Sequence, residues 1–135
     1  MTLAGPALAE REELFRAFGR AFFKKDVEAL YRVVTPDFQW RGQDETGATR
    51  LLDSPNAIRT HFERQRELFS EQRFSDVVYR HLPEVSFMTF RLSETRRTGG
   101  GASDHQGVEI YTFKDGRIAL KDVYRKPAEG IAEAL

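Results

Sequence analysis

Apolar residues in the first half of the chain recur every three or four positions, the period of a helix that buries one face. Leu14, Phe18 and Phe22 form one such stripe. Asp26 and Ser54 belong to the residue types that cap helix N-termini, and each precedes an apolar segment of helical period. The pattern therefore predicts three helices in the N-terminal half.

The second half alternates apolar and polar residues, which is typical of strands with one buried face. Four such segments cover residues 73–82, 84–97, 104–113 and 117–126, and a shorter one covers residues 37–42. Helices followed by consecutive strands predict an α+β fold. We expect a curved antiparallel sheet packed on the three N-terminal helices.

The chain is long enough for one domain with a substantial core. We assign residues 9–127 to that domain, residues 1–8 to an N-terminal extension and residues 128–135 to a C-terminal tail. The polar segment GQDETGATRLLDS, residues 42–54, predicts a loop between the first strand and the third helix.

Asp115-Gly116 is a strong signal for a two-residue hairpin turn between the last two strands. Counting outward from this turn pairs Glu109 with Asp122. Cross-strand partners share a face, so one face of the hairpin is predicted to carry both carboxylates with the larger apolar groups, and His105 and Tyr124 continue it. The opposite face is predicted to carry Val108, Ile110, Lys121 and Val123.

The predicted pairing of Glu109 and Asp122 suggests acid–base chemistry. Paired residues have Cβ atoms about 4.5–5.5 Å apart. Two ionised carboxylates at that distance repel by roughly 3 kcal/mol at an effective dielectric of 20, or about two pKa units. One would then hold a proton near neutral pH. Two alternatives remain: a solvated rim pair matched to Arg41, Arg91 or Arg125, and a slipped turn that breaks the pairing.

Composition excludes several classes of function. Twenty-one basic residues balance twenty-one acidic ones, which argues against a general nucleic-acid binder. The absence of cysteine excludes disulfides and zinc–thiolate sites. No apolar run reaches the length of a membrane span, and the N-terminus lacks the pattern of a secretory signal. We expect a cytoplasmic protein without a cofactor, a metal site or a membrane partner.

Three segments resemble the NTF2-like superfamily, which includes SnoaL-like polyketide cyclases and ketosteroid isomerases. They are FKKDVEALYRVVTPDFQWRG at residues 23–42, SPNAIRTHFERQRELF at 54–69 and GVEIYTFKDGRIALKDVYR at 107–125. The resemblance implies a cone with an apolar pocket inside it. It also implies a homodimer through the outer sheet face, which would show Val108, Ile110 and Val123.

The resemblance also suggests roles for individual residues. Phe18 stands where the isomerases have an oxyanion tyrosine in the first helix, and about Gly42, with Asp44 nearby, stands where they have the general-base aspartate. Glu109 falls at the position of their late-strand carboxylic acid. In the SnoaL-like cyclases a late strand also supplies a carboxyl group, a role open to Asp122 or Glu109.

Five aromatic or histidine side chains are further candidates for ligand binding. Trp40 and Tyr111 are predicted to form pocket walls, although an ordinary core role also suits Trp40. Tyr31 and Tyr124 would point hydroxyls into the pocket or satisfy a backbone carbonyl. His61, beside the apolar stripe of the third helix, would be a pocket base or a histidine at the helix edge.

These observations lead to one functional hypothesis and two alternatives. The hypothesis is cofactor-free acid–base catalysis on a small hydrophobic, carbonyl-bearing molecule, by isomerisation, cyclisation, dehydration or hydrolysis. Glu109 and Asp122 would be the catalytic residues. The alternatives are a module that binds an apolar metabolite without turnover and a dimeric interaction domain.

Overall fold

A computed structural model describes residues 1–44 and 46–126. Within these residues the elements follow one another as α1 (Gly5–Lys24), α2 (Val27–Leu30), β1 (Val34–Gln43), β2 (Thr49–Leu52), α3 (Pro55–Leu68), β3 (Phe69–His81), β4 (Val85–Arg96), β5 (Ala102–Lys114) and β6 (Arg117–Lys126).

The predicted helix starts are confirmed by their capping hydrogen bonds. Asp26 Oδ1 accepts from the backbone N–H of Ala29 at 3.1 Å, and Ser54 Oγ accepts from that of Ala57 at 3.1 Å. Each bond satisfies one of the N–H groups that a helix N-terminus leaves without an intrahelical acceptor. Pro55 occupies the first turn of α3, where its missing N–H costs nothing.

The six strands form one sheet in the order β2-β1-β6-β5-β4-β3. Neighbours are antiparallel except β1 and β6, which run parallel. The prediction of a loop throughout residues 42–54 is wrong for β2, which pairs with β1 and aligns Leu52 with Trp40. The sequence pattern does not predict this strand because it is four residues long and buries only Leu52.

The core lies between the inner face of the sheet and the helices, so the predicted α+β fold is confirmed. Most of its buried side chains are aromatic or branched aliphatic groups: Phe15, Phe18, Leu30, Val34, Phe38, Trp40, Ile58, Phe62, Phe90, Leu92, Tyr111 and Ile118. Their removal from water is the main favourable contribution to folding. Among the described residues, no helix combines the length and apolar content needed to cross a lipid bilayer.

The first helix begins earlier than predicted. α1 already begins at Gly5, so part of the predicted N-terminal extension is helical. The backbone N–H of Leu3 donates to the carbonyl of His81 at 2.9 Å, which ties the chain start to the end of β3. The predicted tail, residues 128–135, lies outside the described residues.

The hairpin turn forms as predicted, but the register beyond it does not. Asp115 and Gly116 both have positive φ, 53° and 76°, as a primed hairpin turn requires. The pairs next to the turn are the predicted ones, including Phe113 with Ile118. The next pair is Thr112 with Leu120, so Ala119 is an extra residue in β6.

This bulge reverses the predicted faces for the rest of β6. Glu109 pairs with Val123, and Asp122 pairs with Ile110 on the outer face. The predicted pairing of Glu109 with Asp122 is therefore wrong. Lys121 and Val123, which were predicted on the outer face, are buried on the inner one. A shift of one residue exchanges the two faces because side chains alternate along a strand.

Gly107 tests the close packing of this sheet. A Cβ atom there would lie 2.6 Å from Phe90 Cζ and 2.6 Å from the carbonyl oxygen of Tyr124. We expect Gly107→Ala to lower the free energy of unfolding by about 1–3 kcal/mol, because the backbone oxygen cannot move without disturbing the β5–β6 pairing. Urea unfolding measures the change.

Gly19→Ala is the matched control, since a Cβ atom on this α1 residue meets no atom within 4 Å. It should raise the stability by about 0.5–1 kcal/mol, as alanine costs less conformational entropy than glycine inside a helix. Equal effects of the two substitutions would contradict the close approach at Gly107.

Candidate active site

A row of paired residues crosses the inner face of the sheet. Tyr111 on β5 is the partner of Ser86 on β4 and of Lys121 on β6, and Lys121 is the partner of Trp40 on β1. Glu109 lies two positions from Tyr111 on the same strand, so it faces the same side. The sheet thus brings an amine, a phenol, an indole and a carboxylate together under the helices.

Glu109 is the centre of this cluster and is only 2% exposed. The hydroxyl of Tyr111 donates a hydrogen bond to its Oε1 atom. Lys121 Nζ lies 3.5 Å from the same oxygen. A buried carboxylate is costly without such partners. Two donor groups converging on one oxygen therefore make Glu109 the most polar point of an otherwise apolar interior.

Aromatic rings enclose the amine of Lys121. Its Nζ atom lies 3.9 Å from the ring centroid of Phe22, 4.8 Å from that of Trp40 and 5.5 Å from that of Phe18. The faces of aromatic rings attract a cation, most strongly where water is excluded. The rings therefore hold the amine and limit its access to water.

Burial changes the acidity of the two groups that contact Glu109. It lowers the pKa of Lys121, an effect that nearby Arg125 and Arg50 reinforce and that Glu109 opposes. Burial also raises the pKa of Tyr111 well above its ordinary value, and the negative charge of Glu109 and its hydrogen bond add to this. Tyr111 therefore stays a phenol, and Lys121 releases its proton more readily than an exposed lysine.

A groove of about 800 Å³ runs between α1 and β3, and its lining does not include Glu109, Tyr111 or Lys121. Phe15 and Tyr79 line it, and the ring of Phe15 meets that of Tyr111 edge-on with centroids 4.8 Å apart. Burial and the nearby charge of Glu109 raise the pKa of Tyr79 to about 12. Tyr79 shares a cross-strand row with Glu109, with Met88 of β4 between them.

His61 on α3 packs against Trp40, one of the aromatic rings around Lys121. Its ring stands edge-on to Trp40, with centroids 4.8 Å apart. Burial, reinforced by the positive charges of Arg50, Lys121, Arg125 and Lys25, lowers the pKa of His61 to about 3. The imidazole is therefore neutral at physiological pH.

Comparison with known proteins identifies the family. Residues 15–121 match the SnoaL-like domain family. The chain belongs to this family. The resemblance to NTF2-like and SnoaL-like proteins is thereby confirmed. This SnoaL-like domain is also similar to the uncharacterized protein C11D3.04c of Schizosaccharomyces pombe, with 29% identity over 119 residues, 87% of this chain and 84% of the relative.

Solved structures share the fold of this SnoaL-like domain at low sequence identity. An NTF2-like protein of unknown function from Burkholderia pseudomallei has a TM-score of 0.70 and 15% identity, over 87% of this chain and 91% of its own. A proposed polyketide cyclase from Xanthomonas campestris pv. campestris has a TM-score of 0.68 and 14% identity, over 93% and 94%. At such identities the likeness shows the fold alone.

The SnoaL-like domain brings five of the predicted site residues together. Glu109 and Tyr111 form the polar centre, and Phe18, Trp40 and His61 surround it. Phe18 has no hydroxyl, and its ring meets that of Tyr111 edge-on at 5.6 Å between centroids. The phenol of this site thus stands on β5 rather than on the first helix.

Three predicted site residues lie elsewhere. Asp122 and Tyr124 are on the outer face of the sheet, where the Tyr124 hydroxyl donates to Asp122 Oδ2 at 3.0 Å. Tyr124 is 52% exposed. Its predicted inward orientation and that of Asp122 are wrong because Ala119 shifts the register. Tyr31 ends α2 near Asp53, and its buried hydroxyl has no hydrogen-bond partner in the described structure.

Sequence reasoning missed Lys121 and Tyr79. The sequence contains no signal for Lys121, because apolar residues of this hairpin stand on both faces, Leu120 on the outer one and Val123 on the inner one. Ile118 and Val123 stand five positions apart, and only their shared burial in the structure shows that a residue is inserted between them. Tyr79 joins the site through the register of β3 on β4 and of β4 on β5, which places it in one row with Met88 and Glu109.

His105 belongs to a second polar group on the inner face. Its Nε2 atom lies 3.4 Å from Glu94 Oε1 and 3.2 Å from Ser103 Oγ. Gln72 donates to the other oxygen of Glu94 at 2.7 Å. These contacts satisfy a buried carboxylate. Across residues 1–44 and 46–126, no three histidine or acidic side chains converge as a metal site.

The lowered pKa of His61 predicts a pH dependence of stability. The unfolded chain binds a proton near pH 6.5, whereas the folded chain does so only near pH 3. The unfolded state is therefore favoured as pH falls through this window, by at most about 1.4 kcal/mol per pH unit and less where solvent screens the ring. Replacing His61 with phenylalanine, which cannot bind a proton, should remove this part of the pH dependence of the free energy of unfolding.

Urea unfolding of the wild type and of His61→Phe between pH 6.5 and pH 4 measures the difference. We expect the wild type to lose stability more steeply as pH falls, since only it carries the histidine. Parallel curves for the two proteins would show that His61 titrates alike in the folded and unfolded states.

Proposed function

We propose that this SnoaL-like domain is a cofactor-free enzyme that moves a proton on a small hydrophobic molecule bearing a carbonyl group. Glu109 is the proton-transfer group. The observation that supports this most is the pair of contacts on its Oε1 atom, from the phenol of Tyr111 and the amine of Lys121, inside an aromatic enclosure.

The chemistry of the proposal follows from these contacts. A carboxylate shielded from water removes a proton from the carbon beside a carbonyl when that carbon lies within hydrogen-bond reach. The negative charge that develops on the carbonyl oxygen is stabilised by groups fixed in advance. Lys121 offers a positive charge for this purpose. Tyr79, whose phenol stays protonated, offers a donor from the groove.

The α1–β3 groove is the proposed binding site. Its wall contains the apolar residues Leu3, Leu8, Phe15 and Val77 together with four charged side chains. The apolar part of this wall favours a hydrophobic ligand because burial of apolar area drives binding. The carbonyl end of the ligand would point past Tyr79 towards Glu109.

The proposal differs from the original hypothesis in its proton-transfer group. A proton shared between Glu109 and Asp122 is ruled out by their opposite faces. One carboxylate and one amine take the place of two carboxylates. The likeness in fold to a proposed polyketide cyclase agrees with chemistry at a carbonyl group but does not select the substrate.

Binding without turnover is the second candidate function. Tyr111 and Lys121 already contact one oxygen of Glu109. The groove is present in the structure as it stands, so a ligand could bind without a conformational change. A protein with these features would hold a hydrophobic carbonyl compound and leave it unchanged.

Exchange of the carbon-bound protons of phenylacetone in heavy water tests proton transfer directly. This hydrophobic ketone carries exchangeable protons between its ring and its carbonyl. We expect the wild type to accelerate exchange and Glu109→Gln to lose about a hundredfold to ten-thousandfold of that acceleration, the usual contribution of a general base. Proton NMR follows the exchange.

Asp122→Asn is the matched control, because it neutralises a carboxylate on the outer face of the same hairpin. It should leave the exchange rate unchanged. Equal losses in both variants would contradict the assignment of Glu109. Binding of phenylacetone without accelerated exchange would favour the second candidate function.

We also propose that the outer face of the sheet joins a second copy of the chain. Val108 and Ile110 lie half-buried on this face, beside Phe87 and Leu120 on the neighbouring strands. Val123 does not contribute, since it faces the core. A stable interface typically buries about 1,200–2,000 Å² in total, which a six-stranded sheet face is large enough to supply.

Ile110→Arg tests this interface. A cation at the centre of an apolar contact is costly to desolvate, so we expect a dimer to dissociate into monomers in sedimentation velocity. Lys114→Glu, at the exposed end of the same strand, should leave the sedimentation coefficient unchanged. A wild-type protein that sediments as a monomer would contradict the proposal.

A further inference from the structure

We propose that Lys121 is a covalent catalyst, which forms an imine with the carbonyl carbon of an aldehyde or ketone. This inference rests on the proposed function, because it assigns a second reacting group to the same site. It would make the substrate class a carbonyl compound whose oxygen leaves as water during the reaction.

The position of the amine carries the inference. Lys121 is paired across the sheet with Tyr111 on one side and Trp40 on the other, so its side chain rises from the middle of the inner face. Its side chain is 7% exposed, and its Nζ atom stands 3.9 Å from the ring centroid of Phe22. A desolvated lysine in an aromatic enclosure is the environment in which an amine acts as a nucleophile.

Burial and two nearby arginines favour the neutral amine that the reaction needs, whereas the negative charge of Glu109 favours the ammonium form. Glu109, 3.5 Å away, is positioned to take a proton from the ammonium group. The other charged groups near Lys121 are Arg125 and Arg50, whose positive charges disfavour a third cation. His61 adds no charge, since it is neutral at physiological pH.

The reaction balances with Glu109 as the sole proton carrier. The ammonium group of Lys121 gives a proton to Glu109, and the free amine adds to the carbonyl carbon to form a C–N bond. Glu109 then gives a proton to the carbonyl oxygen and takes another from the nitrogen. The product is a carbinolamine. Glu109 then protonates the hydroxyl, the C–O bond breaks, water leaves, and the nitrogen lone pair completes the C=N bond.

This sequence consumes one carbonyl compound and releases one water, and it leaves a protonated imine beside the carboxylate of Glu109. The positive nitrogen withdraws electrons from the adjacent carbon, which makes its protons easier to remove. The same carboxylate is then in place to remove one. The aromatic faces of Phe22 and Trp40 stabilise the cationic imine as they do the ammonium group.

Reductive trapping of the wild-type protein tests the proposal. Benzaldehyde and cyanoborohydride at pH 7 convert an imine into a stable benzylamine, and peptide mass spectrometry locates it. The chain has four other lysines, Lys24, Lys25, Lys114 and Lys126, as internal comparators. We expect Lys121 to be modified faster than each of them, because its amine is buried beside aromatic rings and burial raises the fraction of neutral amine.

Modification of the four comparators with Lys121 untouched would overturn the proposal. A parallel reaction with formaldehyde excludes a size barrier, since this aldehyde is little larger than water. If formaldehyde also spares Lys121 while it methylates the others, the amine is not reachable and the inference is wrong. These measurements need no variant, so they do not depend on whether a substituted chain folds.

Variants separate this inference from the proposed function. Lys121→Arg keeps a positive charge beside Glu109 but cannot form an imine. We expect it to abolish trapping at position 121 and to slow phenylacetone exchange. Exchange at the wild-type rate in Lys121→Arg would overturn covalent catalysis and leave Glu109 as the base. Trapping at Lys121 with exchange unaffected by Glu109→Gln would instead support imine formation and contradict Glu109 as the proton-transfer group.

Discussion

One extra residue in β6 determines which charged groups lie inside this protein. Ala119 has no partner on β5, so every later side chain of the strand takes the opposite face from the one that regular pairing would assign. Lys121 enters the core next to Glu109, and Asp122 leaves it. The interior therefore contains an amine beside a carboxylate, where unbroken alternation would have produced two carboxylates. These two arrangements support different proton chemistry, and a single bulge separates them.

Stability alone does not account for the pair of Glu109 and Lys121. Removing two charged groups from water costs more than their attraction usually returns, and replacing such pairs with apolar side chains is often neutral or favourable. Here the pair is held by the phenol of Tyr111 and by aromatic rings around the amine. These contacts keep both groups in one geometry. Burial, together with the nearby positive charges, keeps His61 neutral, so the site has one basic amine and no competing imidazolium.

The SnoaL-like fold accounts for the architecture around this pair, and the chemistry belongs to individual side chains. The curved sheet and α1 leave a groove along β3. In this chain the first helix supplies Phe18 as a wall, while the phenol that contacts the carboxylate comes from Tyr111 on β5. The site is therefore built chiefly on two paired strands, whose backbone hydrogen bonds fix the spacing of its polar atoms.

Local chemistry in the sequence determined the helices, the caps at Asp26 and Ser54, the turn at Asp115-Gly116, and the inward orientation of Glu109 and Tyr111. Each of these depends on residues within a few positions of one another, so period and capping type suffice to predict them. The orientation of Lys121, the exclusion of Asp122 and Tyr124, the parallel contact of β1 with β6 and the approach of Tyr79 were decided by the tertiary structure. A bulge arises where two strands must both bury their apolar residues, and that requirement exists only when the strands are already packed against the helices.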